Sequence, residues 1–244
     1  MAERTSVILG ATSALGQAVA RALASRDEAL VLIARDARRL ERVAADLRAR
    51  GASVAVHTGD FDDLDTHASL LDAVGEADDY WLFYGTLPDQ HACEQDWEAT
   101  AAALHTNFTS AASLLTRIAN RLEPRGSGCI VVVSSVAGDR GRGSNYVYGA
   151  AKGALSLFCQ GLRNRLSKHG VQVTTIKPGF IDTPMTAGIE KKPAPLWATP
   201  ERVAADMVRA RDKGGDVKYT PWFWLPIMLI IKSVPERIFK RLSL

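Results

Sequence analysis

Short apolar, β-branched runs recur along this chain and alternate with segments of helical spacing, and this alternation constrains the fold more than any other feature. The runs are Thr5 to Leu9, Ala29 to Ala34, Ser53 to His57, Tyr80 to Tyr84, Cys129 to Val133 and Val171 to Ile176, with Val217 to Thr220 as a last strand. Strands that read as near-continuous apolar runs are buried on both faces, which is the habit of parallel sheets. Between them the spacing predicts helices over Gln17 to Ser25, from an Asp36 cap to Arg50 before Gly51, over Leu64 to Val74 and over Asp96 to Leu122. Two more run from Tyr148 to His169 before Gly170, and from Thr199-Pro200 to about Arg211. Pro124, Gly126 and Gly128 end the long alanine-rich helix, while Gly85, Pro88 and Asp89 break the chain after the fourth strand. Residues 180–198 hold prolines without a clear period and read as a mobile loop with short helical pieces. The expected class is α/β, a doubly wound parallel sheet with helices on both faces.

A chain of 244 residues suits one large α/β domain, and no linker or repeat divides it, so residues 1–220 are expected to form one domain and residues 221–244 an extension. With 47% hydrophobic and 23% charged residues the composition is that of a globular protein, and a net charge of +3 gives little reason to propose a nucleic-acid partner. Cys93, Cys129 and Cys159 are widely spaced, so neither a disulfide framework nor a metal site is implied and a reducing compartment is expected. Met1 to Arg4 run straight into a strand-like segment and leave no room for a signal peptide, which points to the cytoplasm.

The chemistry gathers between Ser134 and Lys152. Tyr148 and Lys152 are four apart and share one helix face, so an ammonium can sit beside a phenol. Ser135 ends an apolar strand, and the carboxyl ends of parallel strands are where ligands bind in such sheets. Earlier in the chain, the first strand runs into the turn from Gly10 to Gly16, through Thr12, Ser13 and Leu15, and then into a helix. As a phosphate cradle, Gly10 lets the chain turn, Gly16 lets helix and strand approach, and the helix N-terminus faces a pyrophosphate. Taken alone, the same residues also suit any tight strand-to-helix loop.

With Tyr148, Lys152, Ser135 and Asn107 together, residues 5–220 resemble the short-chain dehydrogenase/reductase family, in its ordinary-length branch. The positions that carry the resemblance are Gly10, Ala14 and Gly16, then Asn107, Ser135, Tyr148 with Lys152, and Pro178 with Gly179. The family spacing selects Ser135 over Ser134, and Tyr146 lacks a lysine four residues on. The resemblance implies a Rossmann-type sheet and an NAD(P)-dependent oxidoreductase that interconverts a carbonyl and a secondary alcohol. Reduction needs hydride on carbon and a proton on oxygen, and a free phenol with a pKa of about 10 exchanges protons poorly at neutral pH. The Lys152 cation and an oxidised nicotinamide would favour phenolate, making Tyr148 the acid of reduction and the base of oxidation. Ser135 would bond the carbonyl oxygen, and by resemblance Asn107 distorts its helix to hold a water that relays protons to Lys152. Ile181 and Thr183, by the same resemblance, meet the nicotinamide half, and Asp60 with Phe61 the adenine.

An acidic residue at the end of the second strand would repel a 2′-phosphate. Ala34 and Arg35 stand there, favouring NADP(H) over NAD(H), although Arg35 could also be a solvated residue at a helix entry and Asp60 a turn former. Two departures stand out. Ala14 replaces the usual middle glycine, and Phe83-Tyr84-Gly85-Thr86 replaces Asn-Asn-Ala-Gly, leaving Gly85 to provide close approach while the side-chain bracing must differ.

The extension carries Trp222 to Ile231, far short of the ~20 residues that span a bilayer, followed by Lys232, Arg237, Lys240 and Arg241. Tryptophans and cations suit a membrane surface, while a subunit interface or a lid over the substrate would also use such a segment. The ending and the altered fourth-strand motif are similar to the subgroup that reduces a polyprenyl-phosphoryl 2-keto-pentofuranose, a decaprenyl-phosphoryl-2-keto-ribose-like lipid-linked keto-sugar, at C2. Other expectations are a 3-ketoacyl, steroid-like or small soluble ketone as substrate, or a non-catalytic nucleotide-binding redox sensor. The resemblance also implies a homodimer or homotetramer built through the long helices.

Overall fold

The computed structural model describes residues 4–189 and 194–242. At its centre lies β1 (Thr5–Leu9), paired in parallel with β2 (Ala29–Ala34) on one side and β4 (Asp79–Leu82) on the other. Outward lie β3 (Val54–Thr58) beyond β2, and β5 (Cys129–Val133), β6 (Gln172–Pro178) and β9 (Val217–Thr220) beyond β4. The order β3-β2-β1-β4-β5-β6-β9 reverses direction between β1 and β4, so a crevice opens at the carboxyl ends of these two strands.

Alternate residues of each strand feed two separate cores. Ile8, Leu30 and Leu32 pack with α1 (Ala14–Ala24), α2 (Ala37–Ala49) and α8 (Pro200–Asp212), while Val7, Leu9 and Ile33 pack with α3 (His67–Val74), α6 (Ser110–Arg125) and α7 (Tyr146–Leu166). The helices start where side chains cap them. Ser13 Oγ accepts from the Gly16 N–H at 3.0 Å and Asp36 from the Arg39 N–H at 3.0 Å, and Thr199 caps α8 ahead of Pro200.

Several boundaries move from the expected ones. The Ser13 cap starts α1 at Ala14 rather than Gln17, and α7 begins at Tyr146, so Tyr148 lies inside its first turn. The ends of strands β3, β4 and β6 shift by one or two residues, Phe83 and Tyr84 falling outside β4. The single helix expected from Asp96 to Leu122 is three pieces: α5 (Trp97–Leu104), a π-helical turn (His105–Thr109) and α6. Pro124 stays within the last turn of α6, and the left-handed Gly126 ends the helix by donating to Leu122 O and Glu123 O. A short α4 (Gln90–Gln95) forms because Asp89 caps it, accepting from the N–H groups of His91 and Ala92. Within 180–198, β7 (Phe180–Ile181) pairs with β8 (Trp197–Ala198), and residues 190–193 lie outside the described residues.

The extension folds as α9 (Trp224–Ser233) and α10 (Glu236–Phe239). Trp224, Met228 and Phe239 are buried, the first two with Val136, Phe180 and Tyr219, and the Arg140 guanidinium lies 4.2 Å from the Phe239 ring centroid. Residues 243–244, like 1–3, lie outside the described residues.

At the amino ends of the strands, away from the crevice, a buried ionic cluster ties the sheet to α8. Arg211 bonds Glu28 at 2.8 and 3.0 Å and Asp79 at 2.5 Å, Arg4 bonds Asp79 at 2.7 and 2.8 Å, and Ser6 donates to Glu28 at 3.0 Å. Removing one partner of such a cluster leaves an uncompensated buried charge. Arg211→Met is therefore expected to lower unfolding free energy by about 3–5 kcal/mol in urea titrations. A loss under 1 kcal/mol, about the worth of a surface pair, would contradict that account.

Candidate active site

The glycine turn crosses the end of β1 under close contact. Gly10 has φ +89°, its N–H donates to Ile33 O at 2.9 Å, and a Cβ there would lie 2.8 Å from Tyr84 N. A Cβ on Gly16 would lie 2.7 Å from Gly10 O, so neither position accepts a side chain without backbone movement. Ala14 sits as the first residue of α1, where its methyl is accommodated.

Two cavities of about 280 and 260 Å³ adjoin here and share Thr12, Ser13, Arg39 and Met185 in their walls. Gly10, Arg35, Asp60 and Phe61 line the first; Leu15, Asn107, Ser135, Tyr148, Lys152, Pro178, Gly179, Ile181 and Thr183 line the second, with Gly85 common to both. The resulting trench passes the α1 N-terminus, and this cradle fits a dinucleotide with its pyrophosphate on that helix end. Every residue expected at the site lines the trench except Gly16, which underlies it. At the nucleoside end, Arg35 Nη1 lies 3.8 Å from both Asp60 and Asp62 and is 63% exposed, which leaves it able to turn toward a ligand. Arg39, absent from the sequence expectation, lines both cavities; its signal was the four-residue spacing from Arg35 behind the Asp36 cap.

At the other end Tyr148 and Ser135 line the same cavity, and the Lys152 ammonium lies 5.8 Å from the Tyr148 ring centroid and 3.3 Å from Val133 O. Burial pushes the Tyr148 phenol up to about 12, against the Ser135 hydrogen bond, and pushes Lys152 down to about 8. The lowering of the phenol expected from Lys152 is thus not seen in the chain by itself, where desolvation sets the direction and Ser135 opposes it. Both serines line the cavity, but Ser134 donates to Lys152 O at 2.9 Å beside Ser156, whereas Ser135 Oγ accepts from the Ala137 N–H at 3.1 Å and keeps its own proton to donate; Tyr146 is 45% exposed.

Asn107 sits in the π-helical turn, 1% exposed. Its Oδ1 accepts from the Thr86 N–H at 3.1 Å, and its Nδ2 donates to Thr86 Oγ1 and Ala103 O at 3.2 and 2.9 Å. This is the bracing that replaces the usual fourth-strand motif, joined by a bond of 2.9 Å between the Tyr84 and Ser110 hydroxyls and by Tyr84 stacked on Phe61. A Cβ on Gly85 would come 2.7 Å from Asn107 Oδ1 and 3.3 Å from Lys152 Nζ.

The short chain dehydrogenase profile matches residues 4–194. The chain belongs to the short-chain dehydrogenase family. It is 42% identical over 242 residues to an uncharacterized oxidoreductase of Mycobacterium tuberculosis strain H37Rv, covering 97% of this chain and 96% of the relative. An uncharacterized oxidoreductase of Streptomyces coelicolor is 34% identical over 98% of this chain and 96% of its own. Among solved structures, a short-chain dehydrogenase from Sphingobium yanoikuyae in complex with NADPH superposes with a TM-score of 0.82 at 26% identity, covering 96% of this chain and 97% of that one. This short-chain dehydrogenase is accordingly an NAD(P)-dependent oxidoreductase acting between carbonyl and alcohol. Among the described residues no helix is long and apolar enough to cross a membrane.

The Gly85 contact gives a test of the site geometry. Gly85→Ala is expected to displace the Asn107 amide and to cut the thermal stabilisation by NADPH by more than half while the sheet stays folded; an unchanged stabilisation would show that the contact is not needed.

Proposed function

We propose that this enzyme reduces the carbonyl of a lipid-linked substrate to a secondary alcohol with NADPH, using Tyr148 as general acid. The observation that carries the reading is the half-buried Tyr148 phenol, which shares a cavity with Ser135 and lies one helical turn from Lys152, at the end of a trench that begins at the glycine turn. A bound nicotinamide nucleotide, held by the residues named below, would supply the hydride that the carbonyl carbon takes up. Tyr148 donates the proton to the carbonyl oxygen, and the Ser135 hydroxyl donates a second hydrogen bond that orients that oxygen. Lys152 offsets charge on the phenolate, and Asn107 holds open the π-helical turn through which a water would resupply the proton.

On this reading Gly10, Thr12, Ser13, Leu15 and Gly16 hold the pyrophosphate, Arg35 and Arg39 the 2′-phosphate, and Asp60, Phe61 and Gly85 the adenosine side. Pro178, Gly179, Ile181 and Thr183 take the nicotinamide half. Residues 1–220 would form the catalytic unit, assembled as a homodimer or homotetramer through α5 to α7, where Trp97 and Leu157 are each 69% exposed.

The lipid-linked substrate is supported by the extension. Trp222 and Ile230 are each 67% exposed, with Leu225, Leu229, Ile238 and Leu242 exposed beside Lys232, Arg237, Lys240 and Arg241. An apolar face bordered by cations matches an anionic bilayer surface, and the reading places the enzyme in the cytoplasm against the inner face of the membrane. A polyprenyl-phosphoryl 2-keto-pentofuranose, reduced at C2, unites a membrane-held tail with a carbonyl presented at that surface.

Two experiments test the proposal. Tyr148→Phe is expected to lose about 10²–10⁴-fold in reductive kcat/KM while retaining thermal stabilisation by NADPH. In the unmodified enzyme reductive kcat/KM should fall as pH rises through about 8, where Lys152 loses its charge, while Tyr148, pushed to about 12, stays protonated. Lys152→Arg should abolish that limb, and wild-type activity in Tyr148→Phe would refute the assignment. In the second, co-sedimentation with phosphatidylglycerol vesicles should be lost in Leu229→Asp/Ile230→Asp and weakened by salt; equal binding by this variant would remove the membrane reading.

A further inference from the structure

Gly179 follows Pro178 at the end of β6 and lines the same cavity as Tyr148 and Lys152. On its other side lies the C-terminal extension. A Cβ built on Gly179 would lie 1.9 Å from Cε2 and Nε1 of Trp224 and 2.6 Å from its Cδ1, so the glycine backbone packs directly on the pyrrole edge of that indole. The Gly179 N–H donates to Thr220 O at 3.1 Å, and the Trp224 N–H to Pro221 O at 3.1 Å, so the turn and the indole are fastened to one short piece of chain.

Trp224 touches the rest of this end of the trench as well. Its ring meets Phe180 edge-on at 5.6 Å and 71°, and Phe180 stacks on Trp197 at 5.2 Å and 25°. These two aromatics belong to the β7–β8 pair, whose Ile181 lines the cavity. Val136, next to Ser135, belongs to the same apolar cluster. Trp224 is only 5% exposed, and it lies outside the residues matched by the family profile.

We infer that Trp224 is a positioning residue for the reaction: it sets the height of the Pro178-Gly179 turn and of Ile181, and with them the placement of the nicotinamide end against Tyr148. The inference rests on the reading that this end of the trench takes the nicotinamide. A rigid, unbranched contact at the back of a glycine leaves no slack, and a displacement of the order of 1 Å at a reacting centre costs up to about 10²-fold in rate.

The test uses the full chain and NADPH with a reducible apolar ketone. Trp224→Leu keeps apolar filling but removes the pyrrole edge; it is expected to raise KM for NADPH and lower kcat, each by about tenfold, with KM for the ketone unchanged. Val217→Ala, 45% exposed at the start of β9, should keep wild-type values. Gly179→Ala should impair NADPH use because its methyl strikes the indole, and adding Trp224→Leu should recover at least about threefold of the lost kcat/KM, the coupling expected of neighbours in contact, while the rise in KM for NADPH without a change in KM for the ketone separates positioning from a merely structural role. Wild-type kcat and KM for NADPH in folded Trp224→Leu, or a double variant no better than Gly179→Ala, would overturn the inference. If Trp224→Leu does not fold in thermal melts, Trp224→Phe is expected to change the same constants in the same direction, and wild-type constants there would overturn it equally. Loss of the underlying reading is distinguishable, because it would appear as full activity in Tyr148→Phe whatever Trp224 does.

Discussion

Lys152 is a charged side chain held 4% exposed, with the Val133 carbonyl as acceptor 3.3 Å from its ammonium, and much of the site exists to make that tolerable. Its own carbonyl is held by Ser134, and Gly85 gives up a side chain so that Asn107 and the ammonium can approach. Asn107 in turn is locked by Thr86 and Ala103 within a π-helical turn. The desolvation that lowers Lys152 toward about 8 and raises Tyr148 toward about 12 comes from the same burial, so the two groups are poised as a partly neutralised pair within one helical turn.

The sheet supplies the frame for this arrangement. Reversal of strand order between β1 and β4 opens the crevice, the glycine turn and Tyr84 close its floor, and the Arg211 cluster fastens the opposite end of the strands where no ligand is needed. Stability and chemistry therefore sit at opposite edges of one sheet, as expected of parallel α/β architectures.

Much of this was legible from residue order. Apolar runs located all seven strands of the main sheet and the four-residue spacing put Tyr148 and Lys152 on one helix face, while the choice of Ser135 over Ser134 rested on the family resemblance. What escaped was set by contacts distant in sequence or by side-chain caps. The periodicity of the alanine-rich stretch carries no mark of the break at His105–Thr109; the distortion at Asn107 was expected only through the family resemblance, and the contact of Asn107 with Thr86 across the crevice lies outside any local pattern. Bracing by Tyr84 and Ser110 could not be seen because the two are far apart in sequence. Trp222 to Ile231 reads as a uniformly apolar run, yet α9 is two-faced: Trp224 and Met228 back the active site, while Leu225, Leu229 and Ile230 face outward. Only the folded position of Gly179 reveals that division.

On the proposed function, that two-faced helix would join the surface offered to a lipid-borne substrate to the turn proposed to hold the nicotinamide end of the cofactor. The most direct test of the account is transfer of label from NADPH carrying deuterium at nicotinamide C4, with the enzyme on anionic vesicles containing a polyprenyl-phosphoryl 2-keto-pentofuranose. The account predicts deuterium on C2 of a reduced sugar lipid, formed by the wild-type chain. Turnover of NADPH without label in the lipid, with reduction only of a 3-ketoacyl or steroid-like ketone, would contradict it.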